Sequence, residues 1–314
     1  MMLDVELLAP AGSFKAAQYA IEEGADALYL GLSGVSMRPR RAEFDKEELD
    51  KTIKLIHSKG KKAYVVANIF PKSYDVDFFK DALEDIYRME ADAIVVSDIW
   101  SLRYVKDNFK NIEAHVSIQA SVSSDKTAAF YERNGADVIV VSRSMPNLED
   151  IKRIRKAVSC RLEVFAHGGI CFMYDGNCYM SSHFEQKIKF DKERNIHRVY
   201  GQNNTKGECH LVCKRPFELR ENGSTLAKGC LMRRNDQVGL RDLPLYIESG
   251  INIFKLEGRA MADNYVKRAV KLYRQAIDTY LNDSAGYTVA EKWLSQAEDL
   301  KEYRLEYERK WKIK

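Results

Sequence analysis

The stretch SSDKTAAFYERNGADVIVVSR, residues 123–143, decides the fold. It reads as a helix over 123–134, a stop at Gly135, and a strand over 138–143. The strand is a nearly unbroken apolar run, as expected where both faces are covered in a parallel sheet flanked by helices. Outward from it the same unit recurs. Strand-like runs occupy residues 6–9 (ELLA), 27–31 (ALYLG), 63–68 (AYVVAN), 93–98 (AIVVSD), 115–120 (HVSIQA), 162–167 (LEVFAH) and 251–257 (INIFKLE). Helical segments separate them: one capped by Ser13 and closed at Gly24, then 45–59, 76–89, 99–108, 147–158, 240–249 and 264–281. The triplets at 24–26, 90–92 and 135–137 (GAD, EAD, GAD) read as recurring helix-to-strand turns. Eight β/α units without a dinucleotide-binding glycine fingerprint predict a parallel (β/α)8 barrel of the TIM type, with an open doubly wound sheet as the alternative.

One interval breaks the rhythm. After the seventh strand comes a long cysteine-bearing insertion, residues 168–239, with two apparent hairpin segments. Loops of that length in a compact domain are functional or disordered, and the cysteines and glycines favour function. The barrel is expected over 1–283, and 284–314 reads as a charged helical tail, an outer helix or partner contact without a catalytic motif.

The 314 residues carry a net charge of +4, which admits a small anionic metabolite without demanding nucleic acid. No stretch of eighteen uninterrupted apolar residues occurs, and the N-terminus lacks a signal-peptide layout. A soluble, cytoplasmic protein without membrane insertion is expected.

Five of the six cysteines fall in the insertion, spaced Cys171-x6-Cys178, Cys209-x3-Cys213 and Cys230. In a barrel, residues just beyond a strand's C-terminal end lie on the catalytic face, so these five share it and Cys160 belongs to the opposite end. Soft thiolates suit zinc, copper(I) or iron–sulfur clusters. Neither pair has the short CxxC knuckle of structural zinc, which puts a cluster ahead while leaving zinc open.

Further candidates sit at strand ends. His115, Ser117 and Gln119 alternate along the fifth strand and so share a face, with His115 and Gln119 as catalytic candidates. His167 ends the seventh strand four residues before Cys171, placed to orient substrate or to tune a metal group. Asn68, Asp98 and Arg143 also end strands, and Asn68 is a candidate substrate ligand. Lys255, Glu257 and Arg259 end the eighth, where pairing of Glu257 with Arg259 is expected to be structural. Arg38, Arg40 and Arg41 follow the second strand, either as a solvated basic loop or as forks for a carboxylate.

The run EVFAHGGICFMYDGNCYMS at 163–181 resembles the signature of the collagenase-like family, first catalogued among peptidases of unassigned mechanism as number thirty-two. ELLAPAGS, SMRPRRAEF (36–44), HVSIQAS, CHLVCKRPF and KLEGR (255–259) agree in order, so the resemblance covers nearly residues 3 to 280. It implies an oxygen-independent hydroxylase with a 4Fe–4S cluster and prephenate as hydroxyl source. One branch takes part in 5-hydroxylation of tRNA uridine. Another works as a heterodimer of homologous chains in anaerobic ubiquinone biosynthesis. The implied ligands are Cys171, Cys178, Cys209 and Cys213, with Cys230 as a substitute in the second branch, and Arg38 and Arg40 gain a substrate-binding role. The chain stops at 314, short of the extra C-terminal domain expected in the uridine branch, so the hydroxyl acceptor stays open between uridine and an aromatic ring. Two alternatives remain: a protease, as the family name implies, and a non-catalytic cluster-binding half of a heterodimer. A cysteine protease needs one activated thiolate beside a histidine, and no HExxH or GxSxG motif is present.

Overall fold

The computed structural model describes residues 5–38, 42–143, 148–184, 187–191, 196–200, 209, 211–232 and 236–309. Arg40 and Arg41 lie outside the described residues. In chain order the first half runs β1 (Glu6–Pro10), α1 (Phe14–Glu22), β2 (Ala27–Gly31), α2 (Lys46–Ser58), β3 (Lys62–Val66), α3 (Val76–Arg88), β4 (Ala93–Val96) and α4 (Ile99–Asn108). Then come β5 (Glu113–Val116), α5 (Asp125–Arg133), β6 (Val138–Val140), α6 (Leu148–Ala157), β7 (Arg161–Gly169) and α7 (Tyr179–Phe184). The insertion continues with β8 (Lys187–Asp191), β9 (Ile196–Tyr200), β10 (Phe217–Glu221), β11 (Ser224–Gly229) and β12 (Asp236–Val238). The chain closes with α8 (Leu243–Glu248), β13 (Ile253–Leu256), α9 (Asp263–Asn282) and α10 (Glu291–Arg309).

Strands β1 to β7 and β13 pair in parallel, and the β6–β7 pairing joins the two ends into a closed eight-stranded barrel. The apolar runs explain the closure. Residues of one parity fill the lumen, among them Leu8, Tyr29, Tyr64, Val95 and Ile253. Those of the other parity, such as Leu7, Leu28, Ile94 and Phe254, pack under the helices. The two hairpins expected in the insertion are β8–β9 and β10–β11.

The recurring triplets set strand register. Gly24, Glu90 and Gly135 take left-handed φ values of 93°, 61° and 98°, which end the preceding helix. Two residues on, Asp26, Asp92 and Asp137 accept the amides of Leu7, Ala63 and Ala114 at 2.8, 2.7 and 2.8 Å. Each carboxylate thus ties the strand it precedes to the neighbour before it. A fourth copy carries different letters: Gly250 (φ 82°) is followed by Asn252, which accepts the Leu162 amide at 3.1 Å.

The fifth strand is shorter than expected. It stops at Val116, and Ile118–Ala120 turns as a 3-10 helix capped by Ser117. His115 faces the lumen in register with Val95. Its ring packs on Tyr64 at 4.6 Å between centroids, and its Nε2 meets Glu113 at 2.8 Å. Glu113 and Glu6 share Arg161, forming a partly buried network at the N-terminal end of the barrel. Cys160 lies at that same end, immediately before β7, and burial beside Glu132 pushes its thiol up to about 12.

Candidate functional site

Strand β7 runs past the barrel rim and carries the chain straight into Cys171. The loop beyond it is pinned from two sides. Asp175, 4% exposed, accepts the Ser142 hydroxyl at 2.7 Å and the Arg143 amide at 3.0 Å. Gly176 presses on the fifth β/α connection, where a Cβ would stand 1.8 Å from the Gln119 carbonyl oxygen. The second limb is fixed by a backbone bond from the Cys209 amide to the Met37 carbonyl at 2.7 Å. Cys213 rides on a short 3-10 turn, Val212–Lys214, and its sulfur accepts the Phe172 amide.

These anchors bring four thiols together. Cys171, Cys178, Cys209 and Cys213 all line one cavity of about 350 Å³, walled also by Met37, Phe70 and Lys72. Cys230 is not part of that wall; its thiol donates to the Lys214 carbonyl at 3.4 Å. Among the described residues, no three His, Cys, Asp or Glu side chains are grouped closely enough to hold a metal ion as the chain stands.

Next to the thiol cavity lies a second one of about 100 Å³ in the barrel mouth, and the two share Met37, Gln119, Cys171, Gly176 and Leu211. Five cations line it, Arg38, Arg143, Lys255, Arg259 and Arg304, against the carboxylates of Glu257 and Asp175. Residues 253, 255, 257 and 259 share the lumen parity of β13, so Lys255, Glu257 and Arg259 climb the inner wall in order. Lys255 pairs with Glu163 at 2.8 Å. Glu257 is the hub: Arg38, Arg304 and Arg143 approach it at 2.6, 3.1 and 3.3 Å. Burial pushes the Glu257 carboxyl up, but the guanidiniums of Arg304, Arg143 and Arg38 outweigh it and hold the group well below the usual carboxylate range.

The expected pair of Glu257 with Arg259 is therefore corrected. Among the described residues Arg259 makes no ion pair, and its one side-chain bond is from Nη2 to the Ser36 hydroxyl. Charge alone could not choose between the four arginines that reach this layer. Arg38 joins the two cavities, donating to Glu257 on one side and lying 3.6 Å from the Cys209 sulfur on the other.

Of the other candidates, Gln119 and Asn68 line the mouth cavity and His115 and His167 do not. The Gln119 amide nitrogen contacts the Met37 sulfur at 2.7 Å. Asn68 accepts the Met37 amide at 3.0 Å and donates to Ser117 at 3.1 Å, so it props the arginine loop on β5's end. His167 is turned away by a bulge. Phe165 pairs with Lys255 but His167 with Leu256, so the extra residue, Ala166, shifts the parity of β7. His167 consequently faces α9, where its Nδ1 meets the Tyr273 hydroxyl at 3.3 Å. Simple alternation along the sequence hid this.

Burial, then Arg304, pushes His167 down to about 3, well under its ordinary 6.5. The folded chain thus holds it neutral, while the unfolded chain protonates it below its ordinary value. Stability from this group is complete above pH 6.5 and falls as pH drops from there towards 3. In urea unfolding, His167→Asn is expected to flatten the profile between about pH 6.5 and 4.5 by close to one proton, about 1.4 kcal/mol per pH unit. Parallel profiles for the two proteins would count against a neutral His167.

Two contributors escaped the sequence reading. Arg304 comes from the tail helix α10, is 3% exposed at its side chain, and lies 3.8 Å from Asp236 as well as beside Glu257. The signal was present in spacing: Ala297, Leu300 and Arg304 are the buried stripe of that helix. Asp175 sits inside the Cys171-x6-Cys178 loop and reads there as an ordinary turn residue.

A sequence model described as peptidase family U32 matches residues 12–310. The chain belongs to peptidase family U32. Within U32 it is 28% identical to a protein of Porphyromonas gingivalis named collagenase, over 93% of this chain and 70% of that one. It is also 28% identical to tRNA hydroxylation protein P1 of Bacillus subtilis, over 93% of this chain and 67% of the relative. A third U32 relative, the 23S rRNA 5-hydroxycytidine C2501 synthase of Escherichia coli, is 29% identical over 89% of this chain and 40% of its own. The U32 chain has, among its described residues, no helix long and apolar enough to cross a membrane.

Proposed function

We propose that this chain is an iron–sulfur enzyme that hydroxylates an RNA base or another aromatic ring without oxygen, with prephenate as the hydroxyl source. The observation that carries the reading is the adjacency of the two cavities, four thiols around one and five cations around the other. Thiolate sulfurs are the donor set that cubane clusters take, so Cys171, Cys178, Cys209 and Cys213 fit as the ligands of a 4Fe–4S group. When bound, such a cluster supplies one-electron chemistry that needs no oxygen.

The chain's own side chains do the rest. The cationic barrel mouth suits an anionic donor, and a guanidinium there matches a carboxylate. Phe172, Tyr174 and Tyr179 stand 46, 71 and 66% exposed beside the thiol cavity, and exposed rings of this kind stack unpaired bases. Lys72 on the same wall suits a phosphate. The names of the relatives in B. subtilis and E. coli support RNA as the acceptor.

Anaerobic reconstitution with iron and sulfide analysis of single variants tests the reading. Wild type is expected to be brown with about four irons per chain. Cys171→Ser should bleach it, and Cys160→Ser and Cys230→Ser should leave the colour intact. A colourless protein carrying stoichiometric zinc, or a cluster that survives loss of Cys171 and Cys178, would overturn it.

A further inference from the structure

We propose that Arg259 is the fork that takes the acid group of a small carboxylate in the barrel mouth, while Arg38, Arg143 and Arg304 are held by Glu257 and serve the fold. This deepens the reading above and rests on it only for the identity of the donor. Arg259 is 4% exposed and lines the mouth cavity. Among the described residues its Nε and Nη1 have no hydrogen-bond partner. A buried guanidinium left with two open N–H groups is costly unless something arrives to fill them. Burial accordingly pushes this group down, to about 10.

The surroundings are shaped for it. Residue 31 continues the lumen parity of Ala27 and Tyr29 on β2, and there the chain has glycine. A Cβ at Gly31 would lie 2.5 Å from Nη1 and 2.8 Å from Cζ, so the guanidinium occupies the volume a side chain would need. The nearest carboxylate influence is Glu43, which accepts the Gly34 amide at 3.4 Å and forms no ion pair with Arg259. The apolar part of the wall, Val66, Val95, Ile118 and Met261, accommodates the body of the ligand. Arginine matters here because Nη2 keeps a second N–H beside its Ser36 bond, so the edge it shares with Nη1 or with Nε can meet both oxygens of a carboxylate, which an ammonium cannot do.

The test uses the full chain, before and after anaerobic iron loading, titrated calorimetrically with malonate, with prephenate and with inorganic phosphate. Both carboxylates are expected to bind wild type, Arg259→Met to weaken them tenfold or more, and Arg259→Lys to fall between. Without ligand, Arg259→Met should also raise the unfolding midpoint, because an unpaired buried charge is removed. A structural arginine would give the opposite shift. Undiminished carboxylate binding by Arg259→Met or Arg259→Lys would overturn the proposal, as would binding of phosphate alone or a lowered midpoint in Arg259→Met. The readout needs no iron. A chain that takes no cluster yet binds malonate through Arg259 would sink the hydroxylase reading and leave this one standing, and a cluster without Arg259 dependence would do the reverse.

Discussion

Glu257→Ala is expected to cost about 3–5 kcal/mol of stability, the usual loss when one partner is removed from a buried ion network. The substitution would take the shared carboxylate from three guanidiniums, those of Arg38, Arg143 and Arg304, the last two 6 and 3% exposed at their side chains, and would leave Arg304 with Asp236 at 3.8 Å. Among the described residues no other carboxylate pairs with the Arg143 guanidinium, which also donates to the Gly169 carbonyl and lies with its Cζ 3.5 Å over the Phe165 ring. Glu257→Gln keeps the shape and loses the charge, so it should fall between the alanine variant and wild type. Urea unfolding at neutral pH reads both. A loss under about 1 kcal/mol for the alanine variant would mean that these arginines have other anions to hold them. The network also spans the chain, because Arg304 comes from α10 and Arg38 from the loop after β2. Its loss should therefore expose the tail helix to protease before the barrel.

Gly176→Ala is expected to abolish most iron uptake on reconstitution while leaving the barrel folded. Two causes add at this position. The φ of 75° disfavours any side chain, and an added Cβ would meet the Gln119 carbonyl oxygen at 1.8 Å, a backbone atom that cannot rotate aside. The loop between Cys171 and Cys178 must then lift away from the fifth β/α connection and spread the thiols. Gly223→Ala separates the two causes. Gly223 has a φ of 83° at the tip of the β10–β11 hairpin, with nothing within 4 Å of its Cβ position. That variant carries the same backbone strain without the collision and should load iron normally. Equal loading by the two variants would remove the argument that this contact sets the loop.

Strand positions, helix limits and the order of the barrel were legible because they rest on short-range patterns. Residues 27–31 read directly as β2, since a short apolar run and its bounding turns are local. The GAD triplets read as turns for the same reason, although the fourth copy, GIN at 250–252, hid behind different letters. Position along the strands placed Cys171 at the rim and Cys160 at the far end without any contact information. The histidines fared differently. His167 has the spacing of a lumen residue, and one inserted residue at a bulge turns it to the helices. His115 does face the lumen, but the depth at which it lies depends on Tyr64 and Glu113, which come from two different strands.

The cysteine-bearing loop shows the same division. Its composition and its place after β7 come from the sequence alone, since thiol chemistry and a strand end are local properties. Which thiols share a cavity does not, because Cys209 is fixed through Met37 and Cys178 through Asp175 and Gly176, contacts made across the barrel rim. The arginines are the clearest case. Sequence put Arg38, Arg143, Glu257 and Arg259 at strand ends, but only the folded chain added Arg304 and decided that Glu257 holds three arginines and leaves Arg259 open. The reason is physical: secondary structure is set by neighbours along the chain, whereas the pairing of buried charges is set by which side chains arrive at one point in space.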